Sequence, residues 1–178
     1  MNTLFALGHE YYNHQFENHY PKALNAYFQA YELAKNLNDS INYNSSLYCI
    51  SLCYFSQSQE NNGDEQGKYL ENAEVFVREL RNDNEEDRYL KNLIYDNLAN
   101  FYNKKSEEYL QDSITLQQAL DYSQKALETY QKKPDADQGV KRLLEIYKMD
   151  CLIRSNKIQE AIAVSYTHLR AHETLRYL

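Results

Sequence analysis

Cys49 and Cys53 stand one helical turn apart, a spacing that would let two thiolates share a metal ion or form a redox couple. A metal site needs a second pair at ligand spacing, and Cys151 is alone, so the three cysteines are expected to be packing thiols in a reducing compartment. His9, His14 and His19 recur every five residues. Each step turns a helix by roughly 140°, so the three imidazoles cannot share a face. The run Asp83-Asn84-Glu85-Glu86-Asp87 is acidic enough to suggest calcium. It lacks the alternating oxygen ligands, central glycine and terminal glutamate of a calcium loop, and it suits the positive end of a helix better. The remaining arrangement is His168-x-x-x-His172 followed by Glu173, two imidazoles one turn apart beside a carboxylate, as in a zinc or hydrolase site.

That last motif sits in Val164–Thr174, VSYTHLRAHET. The string resembles, residue for residue, one translated frame of a transposase-type sequencing adapter. In such libraries a short index and then ATCTCG follow, which predicts a few index-encoded residues and then Tyr-Leu; the chain ends Leu175-Arg176-Tyr177-Leu178. On this reading residues 164–178 are an artefactual tail and no chemistry was selected at His168, His172 or Glu173. The natural portion is then 1–163, with 17 basic and 25 acidic residues, and the native protein is expected to continue beyond Ala163. Outside the tail no acid, base and nucleophile converge, so no catalytic residue, metal or cofactor is expected, and the chain is read as not an enzyme.

The elements that position everything else are helices. Glycine (4) and proline (2) are scarce, which favours helices joined by polar loops. The abundance of tyrosine (18) and asparagine (18) fits either an AT-rich genome or a role for tyrosine in packing and for asparagine in a polar groove. A net charge of −7 without a basic stripe argues against direct nucleic-acid binding. No run approaches the ~20 apolar residues that span a bilayer, and no apolar leader follows Met1, so the expected compartment is the cytoplasm, with no membrane contact.

Three sets of residues repeat one pattern: Leu4/Leu7/Gly8/Tyr11, Leu47/Ile50/Ser51/Tyr54 and Tyr95/Leu98/Ala99/Tyr102. Each places an apolar side chain, a small residue and a tyrosine on one helical face, and the small residue admits a second helix at close range. Alanines mark that second helix: Ala23 with Tyr27 and Ala30, Ala73 with Val77 and Leu80, Ala119 with Ser123 and Ala126. The pattern predicts helices over about 2–15, 21–37, 40 onward, 68–81, 85–108, from near Asp112-Ser113 to before Pro134, after Asp137, and from near Ile158 until the adapter cuts it off. Ser56–Gly67, centred on Asn61-Asn62-Gly63-Asp64, reads as a loop.

The anchors Ala23, Ala73, Ala119 and Ala161 lie 50, 46 and 42 residues apart. With these large–small pairs, residues 1–163 resemble a tetratricopeptide repeat protein, whose unit is about 34 residues, so the units here are expected to carry insertions, mostly between paired helices. The resemblance implies an all-α, right-handed α-solenoid of about four antiparallel helix pairs, with units about 1–38, 39–82, 83–134 and 137–163. The last pair departs from the pattern: Leu144, Tyr147 and Cys151 keep the period, but Lys148 stands where a small residue belongs.

In that family the first helix of each pair lines a concave, peptide-binding surface. Carried over by register, the lining is Phe5, His9, Tyr12 and Asn13; Tyr48, Leu52 and Phe55; and Asp96, Asn97, Asn100, Asn103 and Lys104. Asn97 and Asn100 would hold a peptide backbone through amides that donate and accept, and the aromatics would supply pockets. The basic clamp for a C-terminal carboxylate known in chaperone-binding members is missing, since only Lys104 is basic among these. The resemblance therefore implies a non-enzymatic scaffold for a protein or peptide ligand, the repeat region of a larger bacterial regulatory protein. The alternative is a regulatory or docking segment of a multidomain enzyme, such as a sensor histidine kinase, whose effector domain is missing. The broken last pair is expected to expose apolar surface and to permit self-association through that end.

Overall fold

The computed structural model describes residues 1–13, 19–81, 84–111 and 115–174, the last eight of these as backbone only. Among them the chain is entirely helical: α1 (Asn2–Asn13), α2 (His19–Asn36), α3 (Ser40–Glu60), α4 (Gly63–Val77), α5 (Glu85–Leu110), α6 (Leu116–Gln131), α7 (Gln138–Arg154) and α8 (Ile158–Thr174). His14, Gln15, Asp83, Asp112 and Ser113, on which parts of the sequence reading fell, lie outside the described residues, as do the side chains of His168, His172 and Glu173.

Two compact units divide the chain, Met1–Ile94 and Tyr95–Leu178. In the first, α1 packs on α2, α2 on α3 and α3 on α4. Gly8 is buried on α1 because the Tyr27 ring of α2 lies directly over it, and a Cβ there would collide with that ring. Tyr27 continues inward against Ala23, Ile50 and Cys53, all but sealed from solvent. Tyrosine hydroxyls then tie residues 36 to 44 positions apart. Tyr20 donates to Glu60 Oε1 at 2.6 Å, Tyr43 donates to Glu79 Oε2 at 2.8 Å, and the Tyr12 hydroxyl lies 2.7 Å from Ser56 Oγ. In the second unit, Ala119 and Leu120 of α6 meet Cys151 and Leu152 of α7 and Ala161 of α8. The Ser106 hydroxyl of α5 donates to the Ala119 carbonyl at 2.7 Å.

Local signals explain the helix starts. Asp39 caps α3 by accepting from the Asn42 amide at 3.1 Å, Asn84 caps α5 by accepting from the Asp87 amide at 2.7 Å, and Asp137 caps α7 by accepting from the Val140 amide at 3.0 Å. Pro21 falls in the first turn of α2, where its missing N–H costs nothing. Asn38 and Asn156 (φ 53° and 58°) end α2 and α7 in the left-handed region. Each lets the next amide reach back, Asp39 to the Ala34 carbonyl at 2.9 Å and Lys157 to the Leu152 carbonyl at 2.8 Å.

The loop expected over Ser56–Gly67 is not one. Helix α3 runs to Glu60 and α4 begins at Gly63, leaving Asn61-Asn62 between them. The polar residues are spent within the helices: Ser58 Oγ donates to the Phe55 carbonyl at 2.6 Å and Asn61 Nδ2 to the Gln57 carbonyl at 2.8 Å. Polarity alone does not end a helix when its side chains bond locally. Helix α4 correspondingly starts earlier than Lys68 and stops at Val77, with Leu80 buried in the turn that follows. The residues expected between these two helices lie mostly within them. At the other end, α8 continues to Thr174 instead of stopping at the adapter-like residues, which contain neither glycine nor proline. On α7, Leu144 and Cys151 are buried and Lys148 is half-buried, while Leu143, Ile146 and Ile153 stand exposed, as do Ile158 and Ile162 on α8.

Candidate functional site

In the first unit, Phe5 and Tyr12 of α1 and Tyr48 of α3 are half-buried rings, each packed against the core that holds Ala23, Tyr27 and Ile50. Their positions follow from α1 and α3 both packing on α2. The Tyr12–Ser56 bond fixes one ring, and Tyr20 meets its edge with centroids 6.1 Å apart. His9 is exposed, its Nδ1 3.1 Å from the Tyr27 hydroxyl and its ring edge-on to Tyr27. Asn13 is exposed and Leu52 half-buried, whereas Phe55 is buried and its ring faces the interior.

The second unit carries the other expected lining residues as a stripe along α5. Asp96 is already engaged: the Lys133 ammonium donates to both its carboxylate oxygens, at 2.7 and 2.8 Å, and lies 5.3 Å from the Tyr130 ring centroid. Asn100 and Lys104 are exposed and Asn97 is half-buried. Asn103 donates to Glu107 Oε1 at 3.0 Å, while its own amide oxygen is buried with no partner among the described residues. Such an acceptor is costly to leave unmet. A nearby hollow of about 380 Å³ is lined by Tyr109, Gln118, Asp121, Tyr122 and Lys125. The Lys125 ammonium already sits over the Tyr122 and Tyr102 rings, 5.4 and 5.5 Å from their centroids.

A cluster not singled out from the sequence joins α3 to the start of α5. Asn44 Nδ2 donates to Asp87 Oδ2 at 2.9 Å, and Asn44 Oδ1 accepts from the Arg81 amide at 2.9 Å. Asp87 is 3% exposed and Lys91, one turn further along α5, is 8% exposed. Burial lowers the Lys91 pKa while the Asp87 carboxylate opposes that shift. The available signal was the Asp87/Lys91 spacing of four, together with Asn44 one turn before Tyr48.

Cys49, Cys53 and Cys151 are buried and unbridged. Burial pushes the Cys49 and Cys53 thiols up to about 12, and Cys53 Sγ lies 3.8 Å from the Tyr20 carbonyl. Since the thiolate is the reactive form, iodoacetamide at pH 8 is expected to label Cys49 and Cys53 about a thousandfold more slowly in the folded chain than in urea. Equal rates in mass-spectrometric labelling would show these thiols to be open. Among the described residues no group of three or more His, Cys, Asp or Glu side chains could hold a metal ion, and no helix is long and apolar enough to cross a membrane.

Compared with protein-family models and with curated proteins, the chain matches none.

Proposed function

We propose that the chain is an array of helix pairs of the tetratricopeptide kind, acting as a non-enzymatic scaffold that binds a protein or peptide segment, within a larger bacterial regulatory protein. The recurring close approach supports the helix-pair reading: Gly8, Ser51 and Ala99 are all buried, and Ala23, Ala73 and Ala119 are fully so. The observation that carries the function is the pre-set aromatic face of the first unit. There Tyr12 is held by Ser56, and the rings of Phe5 and Tyr48 are half-buried against the same core, ready to cover an apolar or cationic side chain at little entropic cost. The exposed Asn100 amide on α5 offers a donor and an acceptor to a peptide backbone.

A phage-displayed random peptide library panned on the chain tests this reading. Peptides are expected to be enriched. Replacing both Asn97 and Asn100 with alanine is expected to weaken those that contact α5 by about tenfold, the worth of one or two hydrogen bonds. Absence of enrichment would remove the peptide-binding role. Enrichment with unchanged affinity in the double variant would remove only the asparagines.

A further inference from the structure

Of the eighteen asparagines, Asn62 alone is followed by glycine. With Asn61 it forms the connection between α3 and α4. Its backbone is extended (φ −130°, ψ 166°), its side chain is exposed, and that side chain makes no cap bond to α4. Gly63 follows at φ 59°, and nothing beyond its chain neighbours lies within 4 Å of the place a Cβ would take. Because Gly63 opens α4, its N–H has no carbonyl one turn back in the same helix. An exposed side-chain amide therefore adjoins a backbone nitrogen that no side chain crowds.

Other asparagines outside helix interiors are held. Asn38 and Asn156 also carry positive φ, but the amides that follow them are bound, Asp39 to the Ala34 carbonyl at 2.9 Å and Lys157 to the Leu152 carbonyl at 2.8 Å. Asn61 Nδ2 donates to the Gln57 carbonyl, and Asn84 Oδ1 accepts from the Asp87 amide. Within a helix the next N–H is committed to a carbonyl four residues back, as Tyr43, after Asn42, is to Asp39 at 2.9 Å.

We propose that Asn62 is a site of spontaneous modification, with water as its co-reactant. Hydroxide takes the Gly63 amide proton, and the nitrogen attacks Asn62 Cγ to close a succinimide ring. The Cγ–Nδ2 bond breaks, and Nδ2 leaves as ammonia with a proton drawn from water. Water then opens the ring at either carbonyl. Opening at Cγ leaves aspartate; opening at the backbone carbonyl routes the main chain through the side chain as isoaspartate. No atom changes oxidation state. Either product sets a new carboxylate at the positive end of α4, and isoaspartate also lengthens the short connection between two packed helices.

The test ages the intact chain in mildly alkaline buffer, with and without urea. Mass spectrometry follows each asparagine, and an isoaspartyl methyltransferase reads isoaspartate. In the folded chain Asn62 is expected to convert at least about tenfold faster than Asn38 or Asn156, where a backbone hydrogen bond must open first. Urea is expected to speed those two and leave Asn62 unchanged. Asn62→Gln, an exposed and conservative replacement, is expected to remove most of the methylation. A folded-state rate at Asn62 no higher than at Asn38 and Asn156 would overturn the site. So would a rate that urea raises as much as theirs, or methylation undiminished in Asn62→Gln.

Discussion

Replacing Asp87 with alanine is expected to lower stability at pH 7 by about 2–3 kcal/mol, the usual worth of a hydrogen bond to a buried charged group. The loss has two parts. Asn44 loses the acceptor for its amide, although its own oxygen still receives the Arg81 amide. Lys91, 8% exposed, loses the favourable field of that carboxylate. The pH dependence separates these parts. Burial already lowers the Lys91 pKa in the native chain, so between that lowered value and the ordinary lysine value of 10.5 the unfolded state binds more protons than the folded one. Stability therefore rises with pH across that window. Removing Asp87 takes away the term that opposed the shift, so the window widens downward and the rise steepens. Urea unfolding at pH 7 and pH 10 is the measurement. A loss below about 1 kcal/mol, or the same pH slope in both proteins, would mean that Lys91 finds water or another partner.

Tyr27→Ala is expected to cost about 3–5 kcal/mol, because it empties a ring-sized volume between α1 and α3. Tyr27 is 2% exposed and is the side chain against which Gly8 closes. For a chain of this length that corresponds to a melting temperature lower by about 10 °C. Tyr27→Phe should cost only about 1 kcal/mol, since it keeps the ring and loses the hydroxyl's contact with exposed His9. Calorimetry on both variants decides whether packing or the hydroxyl dominates. Similar losses in the two would place the stability in the hydrogen bond instead.

Helix existence and small-residue contacts were legible in the sequence for a simple reason: burial on one face forces a period, and a period survives in the residue order. Gly8 opposite Tyr27 is the clearest instance. Boundaries inside polar stretches were not legible. Ser58 and Asn61 bond to carbonyls of their own helix, so a run that reads as a loop continues α3 to Glu60. The aromatic face was partly legible, because Phe5, Tyr12 and Tyr48 follow from register, yet Phe55 at the same register is buried. Asp96 shows why register alone falls short. Its partner Lys133 comes from beyond the end of α6, a contact that no local spacing encodes. The Asn44–Asp87–Lys91 cluster was missed for the same reason, since its central bond joins residues 43 apart.

The most extensive packing joins helices that are consecutive in the chain, and asparagines in the left-handed conformation close two of those connections tightly. Contacts so near in sequence demand little loop closure before they reward it, which places such a chain among fast folders. Tyr27 sits in two of these consecutive contacts at once, against Gly8 of α1 and Ile50 of α3, so its loss should loosen three helices together.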